Sequence, residues 1–230
     1  MTTNGMNGNG VNGHGHDDEV VCDRPSICVF TASALGNEPA VQGGIEEFAE
    51  TAMDAGFGFT YGGGHAGNMG ILAKVVERKQ GGLVGVMPTF LEEREGRAGY
   101  GKHIVATPGM HKRKRLMFKN SVAFVAFPGG LGTLEEAAEM MTWEQLGQHK
   151  KPVVIANIKG FWDPLIQQFE RMIAWGYAGY PGKEIHLRVA ETVGEILPLI
   201  QGHREGRVLR MPLNGSNLTG SLSLGQLNQL

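Results

Sequence analysis

A short apolar run that leads through a glycine-rich turn into a long amphipathic helix most strongly constrains how this chain can fold. The run, Ala123–Phe127, has no polar interruption, as expected of a parallel β-strand that is covered on both faces. Pro128 ends it, and three of the next four residues are glycines, which let a ligand approach the backbone closely. Thr133 is a candidate to open the helix, whose free N–H groups favour an anion such as a phosphate.

Two glutamates in that helix lie on different faces. Glu136 shares a face with Met140 and Trp143, whereas Glu135 shares a face with Thr142. A carboxylate on the apolar face of a helix is costly unless a partner or a function explains it, so we expect a functional role for Glu136. Glu135 alone has an ordinary explanation as well, because the macrodipole favours acidic residues at helix N-termini.

Strand-like and helical patterns alternate along the chain. Strands are predicted at 26–32, 58–61, 83–87, 103–107, 123–127 and 152–158, and further helices at 39–55, from the glycine-rich segment 62–70 to about Gln80, and at 110–120, 161–175 and 189–200. This alternation predicts an α/β fold with an open parallel sheet and helices on both faces. The loops 33–37, 62–68 and 129–133 follow strand ends, so we expect them to meet at one crevice suited to a mononucleotide.

The segment Gly62–Gly70 contains G-x-G-x-x-G between a strand and a helix, which is the pattern of dinucleotide sites. We do not favour that interpretation, because the next strand ends in Met87 and Pro88, where a dinucleotide site has an acidic residue for the ribose. The absence of G-x-x-x-x-G-K-[ST] from the sequence argues against a P-loop nucleotide hydrolase. The polar stretch 88–102 is predicted to be a mobile loop over the carboxyl edge of the sheet.

The basic segment 110–120, MHKRKRLMFKN, divides into two faces when it is read as a helix. Arg113 shares one face with two methionines. Lys112, Arg115 and Lys119 share the other face, which we interpret as solvated surface. An arginine among apolar neighbours is either structural or functional, and the spacing alone does not decide between these roles.

The length and composition argue against several classes of protein. With 230 residues the chain suits one domain, which we place at 21–202, between a disordered leader at 1–20 and a flexible or subunit-docking tail at 203–230. A net charge of −2 argues against nucleic acid or a membrane surface as the main partner. Two cysteines and the lack of a long apolar segment favour a cytoplasmic protein without a disulfide framework.

Two motifs carry a resemblance to a known family. Residues 128–136, PGGLGTLEE, match PGGxGTxxE, and residues 110–114, MHKRK, match M-H-x-R-K. On these motifs the chain resembles the LOG (Lonely guy) family of cytokinin riboside 5′-monophosphate phosphoribohydrolases, sometimes labelled lysine decarboxylases. The segments TYGGGHAGNMG and TWEQLGQHKKP are similar to further family motifs, whereas TASALGN departs from the family's CGSSxGN. The likeness runs from about Ser26 to about Ile200.

The resemblance implies a Rossmann-like fold and a homodimer, or an assembly of dimers, with active sites near the subunit interface. It also implies that Arg113 and Glu136 are catalytic. The positions expected to bind substrate are Ser33, Glu95, Met110, Lys114, Gly129, Gly130, Leu131, Gly132, Thr133, Leu134, Glu135 and Thr142. Neither a metal ion nor a cofactor is expected, and the expected partner is a small-molecule nucleotide.

The reaction that the resemblance implies is hydrolysis of the N-glycosidic bond of cytokinin riboside 5′-monophosphates, and of AMP as well, to free base and ribose 5-phosphate. In this reaction Glu136 orients or deprotonates the attacking water, and the glycine turn holds the phosphate. Two alternatives stay open at this point: a nucleoside 5′-monophosphate nucleosidase of broader specificity, and a nucleotide-binding sensor without turnover.

Overall fold

Strands and helices alternate through the part of the chain that the structure, a computed structural model, describes: residues 22–95, 103–178, 184–202 and 207–210. The strands in these ranges are β1 (Ser26–Phe30), β2 (Gly58–Tyr61), β3 (Leu83–Pro88), β4 (His103–Thr107), β5 (Ala123–Ala126), β6 (Val153–Ala156), β7 (Glu184–Ala190) and β8 (Arg207–Arg210). The α-helices are α1 (Pro39–Asp54), α2 (Gly67–Arg78), α3 (Thr89–Glu95), α4 (Met110–Lys119), α5 (Leu131–Gln145), α6 (Asp163–Ala174) and α7 (Ile196–Ile200). Short 3₁₀ turns occur at Ile158–Gly160 and Val193–Glu195.

The strands form one sheet in the order β4-β3-β2-β1-β5-β6-β7-β8. Neighbouring strands are parallel, except that β8 runs antiparallel to β7. Along the chain, β2 to β4 follow on one side of β1, and the connection then crosses to β5 on its other side. The carboxyl ends of β1 and β5 therefore flank the topological switch point, where open α/β sheets bind their ligands.

Two apolar clusters cover the sheet, one on each face. On one face α1, α2 and α7 pack against the strands through residues that include Phe48 and Leu72. On the other face α4, α5 and α6 do so through residues that include Met117 and Met140. Strand β1 is buried along its whole length, which explains its apolar run at residues 27–30. The prediction of an α/β fold with an open parallel sheet and helices on both faces is confirmed.

The prediction of one helix at 189–200 is wrong. Val189 belongs to β7, where it pairs with Ile155 of β6, and α7 begins only at Ile196. The helical spacing of apolar residues in this segment is overridden by the pairing of β7 with the sheet. Gly194, a poor helix former, lies in the 3₁₀ turn that separates the strand from the helix.

Segments predicted to be mobile or disordered are described only in part. The stretch 88–102 is not a continuous loop, because residues 89–95, which are rich in the good helix formers Leu, Glu and Arg, form α3. Residues 96–102 and the leader 1–20 lie outside the described residues. Strand β8 lies within the segment 203–230 and extends the sheet. The division of the chain into a leader, one domain and a tail stays a prediction. None of the described helices is long and apolar enough to span a membrane.

Candidate active site

A cavity opens at the carboxyl edge of the sheet, near the switch point. Its volume is about 350 Å³. The lining includes residues 31–34 after β1, Gly62 after β2, residues 130–133 after β5, Arg113 of α4 and Glu136 of α5. The three loops predicted to meet at one crevice therefore all contribute to one cavity.

The turn after β5 leaves the N-terminus of α5 free to bind an anion. The helix begins at Leu131, two residues before the predicted Thr133, and its N-cap Gly130 offers no side-chain acceptor to the first N–H groups. Position 129 has to be glycine, because a Cβ there would collide with the side chain of Thr133. A helix N-terminus without a side-chain cap, beside a cavity, is a suitable site for a phosphate.

Arg113 connects three parts of the cavity wall and is 8% exposed. Its Nε donates to the carbonyl oxygen of Val86 at 3.0 Å, and its Nη2 donates to that of Gly62 at 3.2 Å. Its Nη1 lies 3.4 Å from Oε1 of Glu136. A Cβ at position 62 would collide with Nη2 of Arg113, so a larger residue there would displace the guanidinium from this arrangement. The guanidinium therefore fixes the end of β3, the loop after β2 and Glu136 relative to one another.

Glu136 provides the carboxyl group of the cavity. As its helical spacing predicts, it lies on the buried face of α5 with Met140, and it is 7% exposed. Burial raises the pKa of Glu136 from 4.5 to about 7, although the charge of Arg113 opposes this rise. The group therefore changes between acid and carboxylate near neutral pH, which suits a side chain that transfers a proton.

A second charged cluster, formed by Lys114, Glu135 and Glu139, joins α4 to α5. Lys114 forms an ion pair with Glu135 and another with Glu139, the latter at 3.0 Å. Burial alone would lower the pKa of Lys114, but the interactions with the two carboxylates outweigh burial and raise it. Lys114 and Glu135, both predicted to bind substrate, thus contact each other, and neither is among the residues that line the cavity.

The cavity lining includes several of the other predicted binding residues. Ser33 and the stretch 130–133 belong to the lining. Gly129 and Leu134 flank that stretch without contributing to it. The contact of this turn with substrate stays a prediction, and the position of residues 130–133 in the cavity lining supports it.

The remaining predicted binding residues do not line the cavity. The sulfur of Met110 lies 3.9 Å from Nη1 of Arg113, so this methionine contacts a residue of the wall. Thr142 is exposed, and its hydroxyl donates to the carbonyl oxygen of Ala138 within α5. Glu95 is the last residue of α3, and its side chain lies outside what the structure describes.

Sequence reasoning missed other lining residues. Thr31 follows directly on β1, Met87 lies in β3, and Leu91 lies in α3. The rule that ligands bind at the carboxyl ends of parallel strands could have identified Thr31 and Met87. Leu91 requires α3, which the sequence pattern did not predict.

We expect Arg113→Ala to lower the thermal stability of the protein as well as its activity. The substitution leaves two carbonyl oxygens and the buried carboxyl of Glu136 without their partner. Breaking a buried ion pair costs about 3–5 kcal/mol of stability. Because Glu136 can take up a proton once Arg113 is gone, which reduces this cost, we expect a loss at the lower end, about 3 kcal/mol. In a chain of this size such a loss lowers Tm by about 6–12 °C, which differential scanning calorimetry measures.

Arg115→Ala is the matched control for this experiment. Arg115 lies on the same helix but is exposed, so its substitution should change Tm by no more than about 2 °C. Equal Tm values for the two variants would show that the contacts of Arg113 contribute nothing to the fold.

Comparisons with known proteins identify relatives along most of the chain. The family profile described as "Possible lysine decarboxylase" matches residues 69–200. The protein of Oryza sativa subsp. japonica named cytokinin riboside 5′-monophosphate phosphoribohydrolase LOG is 37% identical over 171 residues, which cover 74% of this chain and 70% of that protein. The Arabidopsis thaliana protein named cytokinin riboside 5′-monophosphate phosphoribohydrolase LOG1 is 35% identical over 159 residues, which cover 69% of this chain and 75% of that protein.

Solved structures with a similar fold include a Moco carrier protein from Chlamydomonas reinhardtii, with a TM-score of 0.58 and 19% identity over 78% of this chain and 96% of that one. The molybdenum cofactor binding protein from Rippkaea orientalis gives a TM-score of 0.57 and 18% identity over 78% of this chain and 97% of that one. At such low identity the likeness shows the fold alone. The family profile and the more similar relatives show descent as well, and the chain therefore belongs to the LOG family, whose profile bears the description "Possible lysine decarboxylase".

Proposed function

We propose that this chain hydrolyses the N-glycosidic bond of cytokinin riboside 5′-monophosphates and releases the free base and ribose 5-phosphate. The relatives at 35% and 37% identity carry the name of this activity. The observation that carries the proposal is the position of Glu136. It is a buried carboxyl group with a pKa of about 7, and it lines the same cavity as the N-terminus of α5. In this proposal the phosphate of the nucleotide lies at the N-terminus of α5 and its glycosidic bond lies beside Glu136, since both belong to the lining of one cavity.

The 5′-phosphate is proposed to bind at the N-terminus of α5. The N–H groups of the first helical turn and the partial positive charge at this end attract an anion. Gly130 and Gly132 have open space where their side chains would lie, so the backbone there is accessible. A phosphate held at this point fixes the ribose relative to Glu136 and supplies binding energy remote from the bond that breaks.

Glu136 is proposed to take a proton from the attacking water. As the bond from C1′ to the base nitrogen breaks, positive charge develops on the ribose, and a carboxylate beside it stabilises that charge. The water oxygen bonds to C1′, its proton passes to Glu136, and the bonding electrons leave with the base, which takes up a proton from solvent while Glu136 afterwards releases its own to solvent. Arg113 holds Glu136 in place through Nη1, while its Nε and Nη2 are bonded to backbone carbonyls.

We expect kcat/KM to rise with pH and to level off above about 7. Glu136 accepts a proton only as a carboxylate, and burial raises the pKa of this group to about 7. Below that value activity should follow the ionised fraction, because kcat/KM reports the ionisation of the free enzyme. Rates measured between about pH 5 and 9 with N6-isopentenyladenosine 5′-monophosphate give this profile.

The substrate phosphate ionises as well, with a second pKa of about 6, and adds its own dependence on pH. The residual activity of Glu136→Gln should retain only that dependence, which makes this variant the control. A rate that falls as the pH rises through 7 would contradict the role of base and would make Glu136 the acid instead.

Product analysis tests the proposed function directly. The purified protein is incubated with N6-isopentenyladenosine 5′-monophosphate and, separately, with AMP, which we propose as a poorer substrate, and free base and ribose 5-phosphate are measured by chromatography. Faster release from the first substrate supports the proposal. Equal rates would indicate a nucleosidase of broader specificity, and binding of both without products would indicate a sensor.

A homodimer and a cytoplasmic location are part of the same proposal. One exposed face of α5 carries Leu131, which is 84% exposed, together with Glu135 and Thr142, and the exposed C-cap residue Leu146 follows the helix directly. A partner subunit on this face would cover both leucines and bring Thr142 to the interface. Light scattering should then give twice the mass of one chain.

The proposed cytoplasmic location agrees with the cysteines. Cys22 and Cys28 are both free, as in a reducing compartment, and a fluorescent fusion tests the location.

A further inference from the structure

Thr31 is a residue of the cavity wall, and its hydroxyl group forms no hydrogen bond with the described residues. The residue follows directly on β1, is 7% exposed and lines the cavity. Its Oγ1 has no hydrogen-bond partner among the residues that the structure describes. A buried hydroxyl without a partner is costly, because it has given up its hydrogen bonds to water. Because Thr31 lines the cavity, rotation about its Cα–Cβ bond would bring the buried hydroxyl to a ligand there and restore the missing hydrogen bond.

Several other buried hydroxyl groups in the described ranges are paired within the protein. Ser26 of β1 and Thr60 of β2 form a hydrogen bond of 2.7 Å, and Ser121 donates to a backbone carbonyl at 2.8 Å. The hydroxyl of Tyr61 also lacks a partner, but Tyr61 does not line the cavity. Thr31 therefore combines burial, an unsatisfied hydroxyl and a position on the cavity wall.

The position of Thr31 relates it to both ends of the proposed substrate. Strand β1 pairs with β5 up to Phe30 and Ala126, so Thr31 lies beside the segment that leads into the N-terminus of α5. Glu136 belongs to the wall of the same cavity. In a nucleotide, the group between the phosphate and the glycosidic bond is the ribose.

We propose that the hydroxyl of Thr31 binds a hydroxyl group of the ribose 5-phosphate part of the nucleotide. This inference rests on the proposed function. A threonine hydroxyl both donates and accepts, as a sugar hydroxyl does, so the two can pair in either direction. The phosphate has the N–H groups of α5, and the base has the apolar part of the lining, which includes Met69, Met87 and Leu91. The ribose is thus the part of the ligand that needs a neutral hydroxyl partner.

Binding of ribose 5-phosphate to Thr31→Val tests the proposal, because valine keeps the shape of threonine and removes the hydroxyl. Isothermal titration calorimetry should show affinity weakened about 5- to 10-fold relative to the wild type, the value of one hydrogen bond between neutral groups. Thr31→Ser keeps the hydroxyl and should bind within about twofold of the wild type. The Tm of unliganded Thr31→Val should be equal or higher, since an unsatisfied buried hydroxyl is removed.

Thr60→Val is the matched control, because it removes a buried hydroxyl that has a partner. It should lower Tm, since Ser26 is left unpaired, and leave the affinity for ribose 5-phosphate unchanged. If Thr31→Val does not fold, Thr31→Ala carries the same measurement.

The outcomes separate this inference from the proposed function. Wild-type affinity in Thr31→Val, with hydrolysis intact in the wild type, overturns the role of Thr31 alone. Weakened binding in both the valine and the serine variants, with a lower Tm, shows a packing role and also overturns it. A wild-type protein that neither binds ribose 5-phosphate nor cleaves the nucleotide overturns the proposed function itself.

Discussion

Glu136→Gln is expected to lower kcat by a factor of about 10²–10⁴ while the protein stays folded. The amide matches the carboxyl group in size and can still accept from Arg113, whose Nη1 lies 3.4 Å from it, but it cannot take a proton from water. Glu136 is also the carboxyl group of the described cavity lining, so no other acidic side chain of that lining can replace it. Steady-state kinetics with N6-isopentenyladenosine 5′-monophosphate measure the loss, and circular dichroism confirms the fold.

Glu135→Gln is the control for this variant. Glu135 is the preceding residue of the same helix, but it pairs with Lys114 and does not line the cavity. Its loss should be much milder, because Lys114 keeps Glu139 as a partner. Near-normal turnover of Glu136→Gln would show that the base is another group, and equal losses in the two variants would remove the distinction between them.

Omission of the 5′-phosphate from the substrate is expected to lower kcat/KM about 10³-fold or more. The N-terminus of α5 offers backbone N–H groups to an anion and has no side-chain cap that would compete. Each charge-assisted hydrogen bond contributes about 1.5–3 kcal/mol, and about 1.4 kcal/mol corresponds to a factor of ten, so two or three lost together give this effect. The measurement compares N6-isopentenyladenosine with its 5′-monophosphate at equal enzyme concentration.

Inhibition by the product provides the control for this comparison. Ribose 5-phosphate should compete with the nucleotide, whereas ribose at the same concentration should not. Comparable kcat/KM values for nucleoside and monophosphate would leave the glycine turn without its proposed role. Its glycines would then serve only the close packing of strand and helix, as Gly129 does against Thr133.

The parts of the site that depend on local periodicity were predictable from the sequence. The period of 3.6 residues places Glu136 on the buried face of α5 and Arg113 on that of α4, and both are buried. Lys112 and Arg115, predicted to be solvated, are exposed. The alternation of strands and helices likewise predicts that the loops after β1, β2 and β5 meet, because the carboxyl ends of parallel strands lie at one edge.

The parts that depend on contacts between distant residues were not predictable. The carbonyl acceptors of Arg113 belong to residues 27 and 51 positions away along the chain, and no local pattern identifies them. The ion pair of Lys114 with Glu135 requires α4 and α5 to pack side by side. Strand β7 was missed for the same reason, since its identity as a strand comes from its ladder with β6.

The burial of Glu136 also affects the free energy of folding. In the unfolded chain this glutamate ionises near its ordinary pKa of 4.5, whereas in the folded protein its pKa is about 7. Between these values the folded state holds more protons than the unfolded state, so the free energy of unfolding falls as the pH rises through this window. The difference corresponds to about 3 kcal/mol, present below the lower value and lost above the upper one. At neutral pH the protein therefore gives up conformational stability to keep a proton acceptor within its interior.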